Sequence, residues 1–300
     1  MRLFTKPFTY HFTMLLLAVL SWQCRKDHPV ANPPRPPDKQ EVVVSIYLNG
    51  VPRDSLVYNS LGQVIEKWDY TKTYHHWQNY TRYTYNANGY ITGAGYFSEL
   101  RANIRDLTQT DSVVWLAGKM VIYSVMYRAY GVEMSGRDTS FYQLNAQQQI
   151  NLAGTRDTIR HLGAIVLKSL MFLQYDFKEN DISRLQDINY FLVLNSPEVK
   201  KKLQYDMEYG PYTNPLFRVV ARNPLLLRSL AGEVFPLPRN AMYPFLGSEH
   251  YVSFLRYTHN DAAPLSSAAT YTMLGNGYAQ TQEFKEMNLL FEYHYKTLAP

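Results

Sequence analysis

Apolar and polar residues alternate with a period of two along much of the chain. In the stretch 199–209, Val199, Leu203, Tyr205, Met207 and Tyr209 share one parity, broken only by Lys201. Lys200, Lys202, Gln204, Asp206 and Glu208 hold the other parity. Successive side chains of a strand point to opposite faces, so this pattern predicts a strand half buried against a core. Leu289, Phe291, Tyr293 and Tyr295 alternate in the same way with Leu290, Glu292, His294 and Lys296. Val121, Tyr123, Val125 and Tyr127 form a third set, and Tyr83 with Tyr85 and Leu255 with Tyr257 give shorter ones. The alternation also places Lys200 and Lys202 on a solvated face, which removes the one cluster of basic residues that stands out.

Turn signals separate these runs. Asn86-Ala87-Asn88-Gly89 lies between Thr81–Tyr85 and Tyr90–Thr92, and Asn59-Ser60-Leu61-Gly62 precedes Gln63-Val64-Ile65. Asn-Gly supplies the positive φ that tight hairpins need. His259-Asn260-Asp261 and Gly275-Asn276-Gly277 read as later turns. Several of these segments align with one another: Tyr58–Val64 with Tyr85–Ile91, Leu144–Ile150 as a third copy that has lost its glycine, and Tyr175-Asp176 with Asn180-Asp181-Ile182 as a stretched fourth. Each unit is strand, turn, strand, and such a unit must stack on its neighbours to bury a face. Helix signals are sparse. Asn223-Pro224 forms an N-cap and first-turn pair ahead of Leu225–Ala231, with Gly232 as the stop. The apolar run Leu162–Phe172 suits a helix or a buried strand, and its surroundings favour the strand. The fold expected is mainly β: an antiparallel meander of repeated hairpins, a curved sheet or barrel, with little helix.

The N-terminus breaks this pattern. Arg2 and Lys6 precede an apolar stretch from Phe12 to Leu20, and Cys24, the only cysteine of 300 residues, closes it. A basic start followed by about 7–15 apolar residues is the layout of a secretory signal and is shorter than the roughly 20 residues a membrane span requires. The cysteine position predicts lipidation at Cys24 after removal of residues 1–23, although Leu20 stands four residues before it rather than three. Pro29, Pro33, Pro34, Pro36 and Pro37 follow in a polar context, so residues 24–40 read as a lipid site and an extended tether. The β-rich domain is then 41–300, and the address is an exported lipoprotein anchored at the outer membrane, on its periplasmic or cell-surface face.

Composition narrows the function classes. The net charge is +5 with 18% charged residues, and residues 1–23 carry two of those positive charges, which does not suit a nucleic-acid binder. One cysteine permits no internal disulfide, so packing and ladder hydrogen bonds must hold the domain. Tyrosine is the unusual count, at 26, and it fits half-exposed sheet faces.

Catalytic and metal patterns are weak. No His-x-His or His-Glu-x-x-His occurs, and the adjacent His75 and His76 would face opposite ways in a strand. Asp176, Glu179, Asn180 and Asp181 lack the spacing of a calcium loop and read as a hairpin turn. Ser248-Glu249-His250 brings a serine near a histidine without a nucleophile elbow around it. Gly93-Ala94-Gly95 lacks the third glycine of a phosphate loop. These readings predict no enzyme, no cofactor and no metal. What remains is aromatic: Trp68, Tyr70, Tyr74, Trp77 and Tyr80 crowd one stretch, followed by Tyr83 and Tyr85. Rings on a sheet serve either as cross-strand packing or as a stacking platform for sugars.

The repeated Tyr-Asn-x-x-Gly-x-Ile/Val units resemble the YD-type hairpins of secreted bacterial repeat proteins. The longer pattern resembles an uncharacterised group of Bacteroidota-type lipoproteins. Its motifs here are Tyr205-Asp206 leading to Asn214-Pro215-Leu216, then Tyr257-Thr258-His259-Asn260-Asp261 with Pro264, and Phe291–Tyr295 as closing strand. Ala262-Ala263 stand where that group carries a glycine. The resemblance implies an antiparallel β-meander at the cell envelope and carries over no active residues. The expected role is non-enzymatic binding of a glycan or other ligand through Trp68, Tyr70, Tyr74, Trp77 and Tyr80. The alternative is a structural or assembly subunit that contacts another envelope protein through an exposed strand edge. The expected partners are the membrane, through the lipid on Cys24, and a polysaccharide or envelope protein, with no nucleic acid.

Overall fold

The computed structural model describes residues 40–71, 75–101, 104–128, 134–155, 159–162, 165–193, 199–229, 247–260 and 262–298. The proposed signal, Cys24 and nearly all of the tether lie outside the described residues.

The chain runs through β1 (Gln40–Leu48), β2 (Val51–Tyr58), β3 (Val64–Thr71), β4 (His76–Tyr85), β5 (Ile91–Arg101) and β6 (Ile104–Leu116). It continues with β7 (Lys119–Tyr127), β8 (Met134–Leu144), β9 (Ile150–Thr155), β10 (Ile159–Leu162), β11 (Ile165–Lys178), β12 (Asp181–Val193) and β13 (Val199–Thr213). Two short helices follow, α1 (Phe217–Val220) and α2 (Pro224–Ser229). The last strands are β14 (His250–His259), β15 (Leu265–Met273), β16 (Ala279–Phe284) and β17 (Leu289–Leu298). Leu162 closes β10 and Ile165–Phe172 opens β11, so the described part of the run Leu162–Phe172 is strand, as its surroundings suggest, and Asn223 caps α2 by accepting the Leu226 N–H at 3.1 Å.

Every pairing is antiparallel, and β1 pairs with both β2 and β17, which closes the sheet into a barrel. The closed ring has sixteen members. β9 and β10 act as one of them, since both run along β11: Thr155 lies opposite Met171 and Ile159 opposite Lys168, a shift of one register step. The meander expected from the sequence is therefore a closed barrel.

Barrel closure gives each strand an inward and an outward side. The inward side is the core: Ile46, Leu56, Ile91, Met120, Ile122, Leu185, Tyr205, Leu255, Phe284 and Phe291 are all fully or nearly fully buried in one cluster. Tyrosines fill much of it, and their hydroxyls bond to strand carbonyls: Tyr58 to Val43 at 2.7 Å, Tyr85 to Val64 at 2.6 Å, Tyr209 to Ile182 at 2.8 Å and Tyr295 to Ala279 at 2.6 Å. A ring supplies apolar area and its hydroxyl finds a partner, which suits tyrosine to a wide barrel interior. The outward side carries charge, including the cross-strand pairs Arg82–Glu66 (2.8 Å) and Arg184–Asp206 (2.6 Å), and exposed Arg256, Glu283 and Lys296.

The four-residue turns share one geometry. At Asn59, Asn86 and Asn145 the asparagine N–H donates to the carbonyl four residues on, and its Oδ1 accepts the N–H groups two and four residues on. The fourth position takes a positive φ: 73° at Gly62, 80° at Gly89 and 63° at Gln148. The turn that lost its glycine thus keeps the conformation and carries it on glutamine. Asn88 is not left-handed; only Gly89 is, so this Asn-Gly works as a glycine turn. The turn with two left-handed residues is Asn49-Gly50, at φ 51° and 73°, which the sequence reading passed over. The stretched fourth unit differs: β11 and β12 are joined by Glu179-Asn180, with Glu179 at φ 59°.

Strand alternation places the turns after β2, β4, β6, β8, β11 and β15 at the barrel end where β1 begins and β17 finishes. Residues 214–229 of the β13–β14 connection cover that end. Leu216, Val219, Val220, Leu225 and Leu226 are buried in the barrel core. The Arg222 carbonyl accepts the Ile91 N–H at 3.2 Å, and Asn223 Nδ2 donates to the Tyr85 hydroxyl at 2.8 Å. The return leg is latched to the β11–β12 hairpin. Ser248 Oγ accepts the Ile182 N–H at 3.1 Å and lies 2.8 Å from the Tyr209 hydroxyl. His250 sits on Asp181, Nδ1 to Oδ2 at 2.8 Å, and Asn180 Nδ2 donates to Glu249 at 2.8 Å. Ser248 and His250 are therefore spent on tying the cap down, as are the Asn180 amide nitrogen and the Asp181 carboxylate.

Candidate functional site: an outward aromatic row

β3 reads Val-Ile-Glu-Lys-Trp-Asp-Tyr-Thr, and its alternation splits two chemistries between the faces. Lys67 and Asp69 point inward. Lys67 is fully buried, 3.0 Å from Asp54 and bonded to Asp69. Burial alone would lower its pKa, but Asp54 and Asp69 outweigh that and raise it, so the ammonium stays charged.

Glu66, Trp68 and Tyr70 point outward. Trp68 lies opposite Tyr80 on β4, and Tyr80 opposite Phe97 on β5. The rings stack in sequence: Trp68 on Tyr80 with centroids 4.7 Å apart, and Tyr80 on Phe97 at 4.5 Å and 6°. The β3–β4 register shifts between Asp69 and Tyr70, and past that bulge Tyr70 meets Trp77 edge-on at 5.4 Å. Bulges re-aim side chains in this way. Two arginines complete the row. Arg82 lies over Tyr80 at 5.2 Å and over Phe97 at 5.7 Å. Arg105 reaches from β6 to lie 5.0 Å from the Trp68 ring, and it donates to the Gln78 and Trp77 carbonyls at 2.9 Å each.

The structure brings Trp68, Tyr70, Trp77 and Tyr80 together, while Tyr74 lies outside the described residues. Phe97, Arg82 and Arg105 are the members the sequence reading missed. Counting from the Asn86–Gly89 hairpin sets Tyr96 opposite Tyr80, and the register shift between Thr84 and Tyr85 puts Phe97 there instead, so the sequence does not mark it. Nor does it mark Arg105, whose contact with Trp68 spans two intervening strands. Tyr83 and Tyr85 belong to the interior instead. The three central rings spend faces on one another, which is cross-strand packing. The Tyr70–Trp77 pair is T-shaped and leaves ring face open. Of the adjacent histidines, His75 is an exposed turn residue at φ 54°, and His76 begins β4 with Nε2 2.5 Å from Glu99.

No protein-family model matches this chain, and no curated protein does. Among solved structures it is similar to a porin-like protein from Bacteroides vulgatus ATCC 8482, at 10% identity and a TM-score of 0.36, over 85% of this chain and 98% of that one. It is also similar to a porin-like protein from Bacteroides uniformis ATCC 8492, at 12% identity and a TM-score of 0.31, over the same shares. The barrel assignment rests on the strand pairings above and not on this likeness.

Proposed function

We propose that this chain is an exported lipoprotein of the Bacteroidota type whose barrel stands in water and binds a glycan, without catalysis, through the outward row on β3–β5. A barrel that crosses a membrane turns an apolar band outward and keeps its lumen polar. Here the interior is packed mainly with apolar and tyrosine side chains around a few buried polar ones such as Lys67, and the outer wall carries paired and exposed charges. Attachment to the outer membrane then falls to the lipid on Cys24, and Cys24→Ser is expected to move the protein from the membrane to the soluble fraction.

The observation that carries the binding reading is the Tyr70–Trp77 pair, set beyond the bulge next to Arg105. Sugars stack on ring faces, and this pair leaves faces open where Trp68, Tyr80 and Phe97 do not. Affinity electrophoresis of the purified protein against a polysaccharide panel tests it. Retardation without degradation, lost in Trp77→Ala, supports the reading. Unchanged retardation in that variant overturns the site, and degradation products overturn the non-enzymatic role.

A further inference from the structure

The outer wall of the barrel is not uniform. Across β11–β14 it alternates in charge, with Asp176 opposite Arg184, Arg184 opposite Asp206 and Asp206 opposite Arg256. On β6 the outward positions are Leu107, Thr110, Ser112, Val114 and Leu116, and on β7 they are Lys119, Val121, Tyr123, Val125 and Tyr127. Seven of these ten are apolar or aromatic, two carry hydroxyls, one is a cation and none is a carboxylate. Register joins them into a strip, since Val114 lies opposite Val121 and Val121 opposite Phe141 on β8. Val121, at the centre, is 6% exposed, while Val114, Leu116, Tyr123 and Phe141 around it are 41%, 52%, 48% and 49% exposed. Of the eleven large apolar side chains that stand exposed among the described residues, seven lie on β6–β8. Apolar surface gathered in one place in this way marks a contact surface.

We propose that this panel rests on the lipid surface of the membrane, with Val114, Leu116, Tyr123 and Phe141 at the boundary between headgroups and acyl chains and Lys119 on the phosphates. The inference deepens the lipid-anchor reading by naming the face turned to the leaflet, and rests on that reading for the membrane. Apolar side chains and tyrosine rings favour that boundary, and a cation beside them is drawn to anionic headgroups. A carboxylate there would be repelled, and the ten outward positions of β6 and β7 hold none. The turn between Leu116 and Lys119 lies at the barrel end where β1 begins, so the proposed tether joins the barrel at the same end as this part of the panel.

The contact is one-sided. A spanning barrel needs its apolar band on every strand, and the charged row across β11–β14 breaks such a band. A second copy fits less well, because the facing panel would offer Lys119 no carboxylate, whereas a lipid phosphate pairs with it. The panel orients an anchored barrel and does not by itself hold an unanchored one, so Cys24→Ser still frees the protein when cells are fractionated.

The test uses the full chain carrying Cys24→Ser, so that no lipid is attached, and vesicles of phosphatidylethanolamine and phosphatidylglycerol. A polarity-sensitive fluorophore is placed through Ser112→Cys on the panel and, in a separate protein, through Thr270→Cys on the outward side of β15. Both positions are exposed. Vesicles should shift the emission to the blue at position 112 and leave it unchanged at position 270. Leu116→Asp with Phe141→Asp should raise the lipid concentration at half-shift by about tenfold or more, as loss of two partly inserted apolar side chains implies. Lys119→Gln should raise it about fivefold. These three residues are exposed, so circular dichroism of the variants should match the parent. No shift at position 112, equal shifts at both positions, or a shift that ignores the panel variants overturns the proposal. A blue shift at position 112 that grows with protein concentration in the absence of lipid assigns the panel to a second copy and overturns it too. Lipidation is judged separately, by the fractionation of Cys24→Ser, because the vesicle measurement involves no attached lipid.

Discussion

The Lys67 ammonium lies 3.0 Å from the Asp54 carboxylate, with both side chains inside the barrel wall and out of water. Lys67 sits opposite Leu56 and Thr81 on its neighbouring strands, and Asp54 and Asp69 balance its charge. Removing one member of a buried pair strands the other, at a cost of about 3–5 kcal/mol. Lys67→Met should lower stability by that amount in urea denaturation. The double variant Lys67→Met with Asp54→Leu should recover most of it. A neutral Lys67→Met would show that water reaches Asp54.

Alkali should unfold the barrel steeply. Burial raises the pKa values of Tyr58, Tyr205, Tyr209, Tyr251 and Tyr293. The sign follows from linkage. Above about pH 10 the unfolded chain releases phenolic protons that the folded chain retains, so the unfolded state binds fewer protons and stability falls as pH rises. Below that pH the contribution is fully present. Lys67, also raised, acts in the same direction. Phenolate absorbance followed alongside far-ultraviolet circular dichroism checks this: the buried set should ionise only as the β signal is lost.

Two tyrosines should respond oppositely to loss of the hydroxyl. Tyr209 donates to the Ile182 carbonyl and meets Ser248, at the joint between cap and wall. The buried Tyr205 hydroxyl has no hydrogen-bond partner among the described residues. An unsatisfied buried polar group costs about 1–3 kcal/mol. Tyr205→Phe should therefore raise the melting temperature, and Tyr209→Phe should lower it.

The shared turn predicts a second opposed pair. Gln148 holds a left-handed conformation at a cost of about 1–2 kcal/mol for a residue with a Cβ, so Gln148→Gly should be stabilising or neutral. Gly89→Ala should be destabilising, because φ is 80° and the added Cβ would lie 3.2 Å from Gln63 and 3.3 Å from Arg222. Thermal melts of the two variants give the comparison directly.

The alternation at 203–209 and 289–296 pointed the right side chains inward, since the polar residues there fall mainly on one face. At β7 it did not. Val121, Tyr123, Val125 and Tyr127 lie on the outward side, while Met120, Ile122 and Ser124 face the core. Both faces of that strand carry apolar residues, so period alone leaves its orientation open and the register with β6 and β8 decides it. At the aromatic row, clustering was legible because Trp68 to Tyr80 is one hairpin, whereas which rings have open faces depended on a bulge.

Local chemistry determined the strands, the hairpin turns and the scarcity of helix, because two-residue periodicity and asparagine–glycine turns act within a few residues. The N-terminal address proposed for the chain is likewise read from sequence alone. Only the tertiary structure decided closure of the ring by β1 on β17, the folding of residues 214–229 over one end and burial of the Lys67 charge. Each of these depends on contacts between residues far apart in the chain, and strand twist and register summed over sixteen members carry no signature in any one of them.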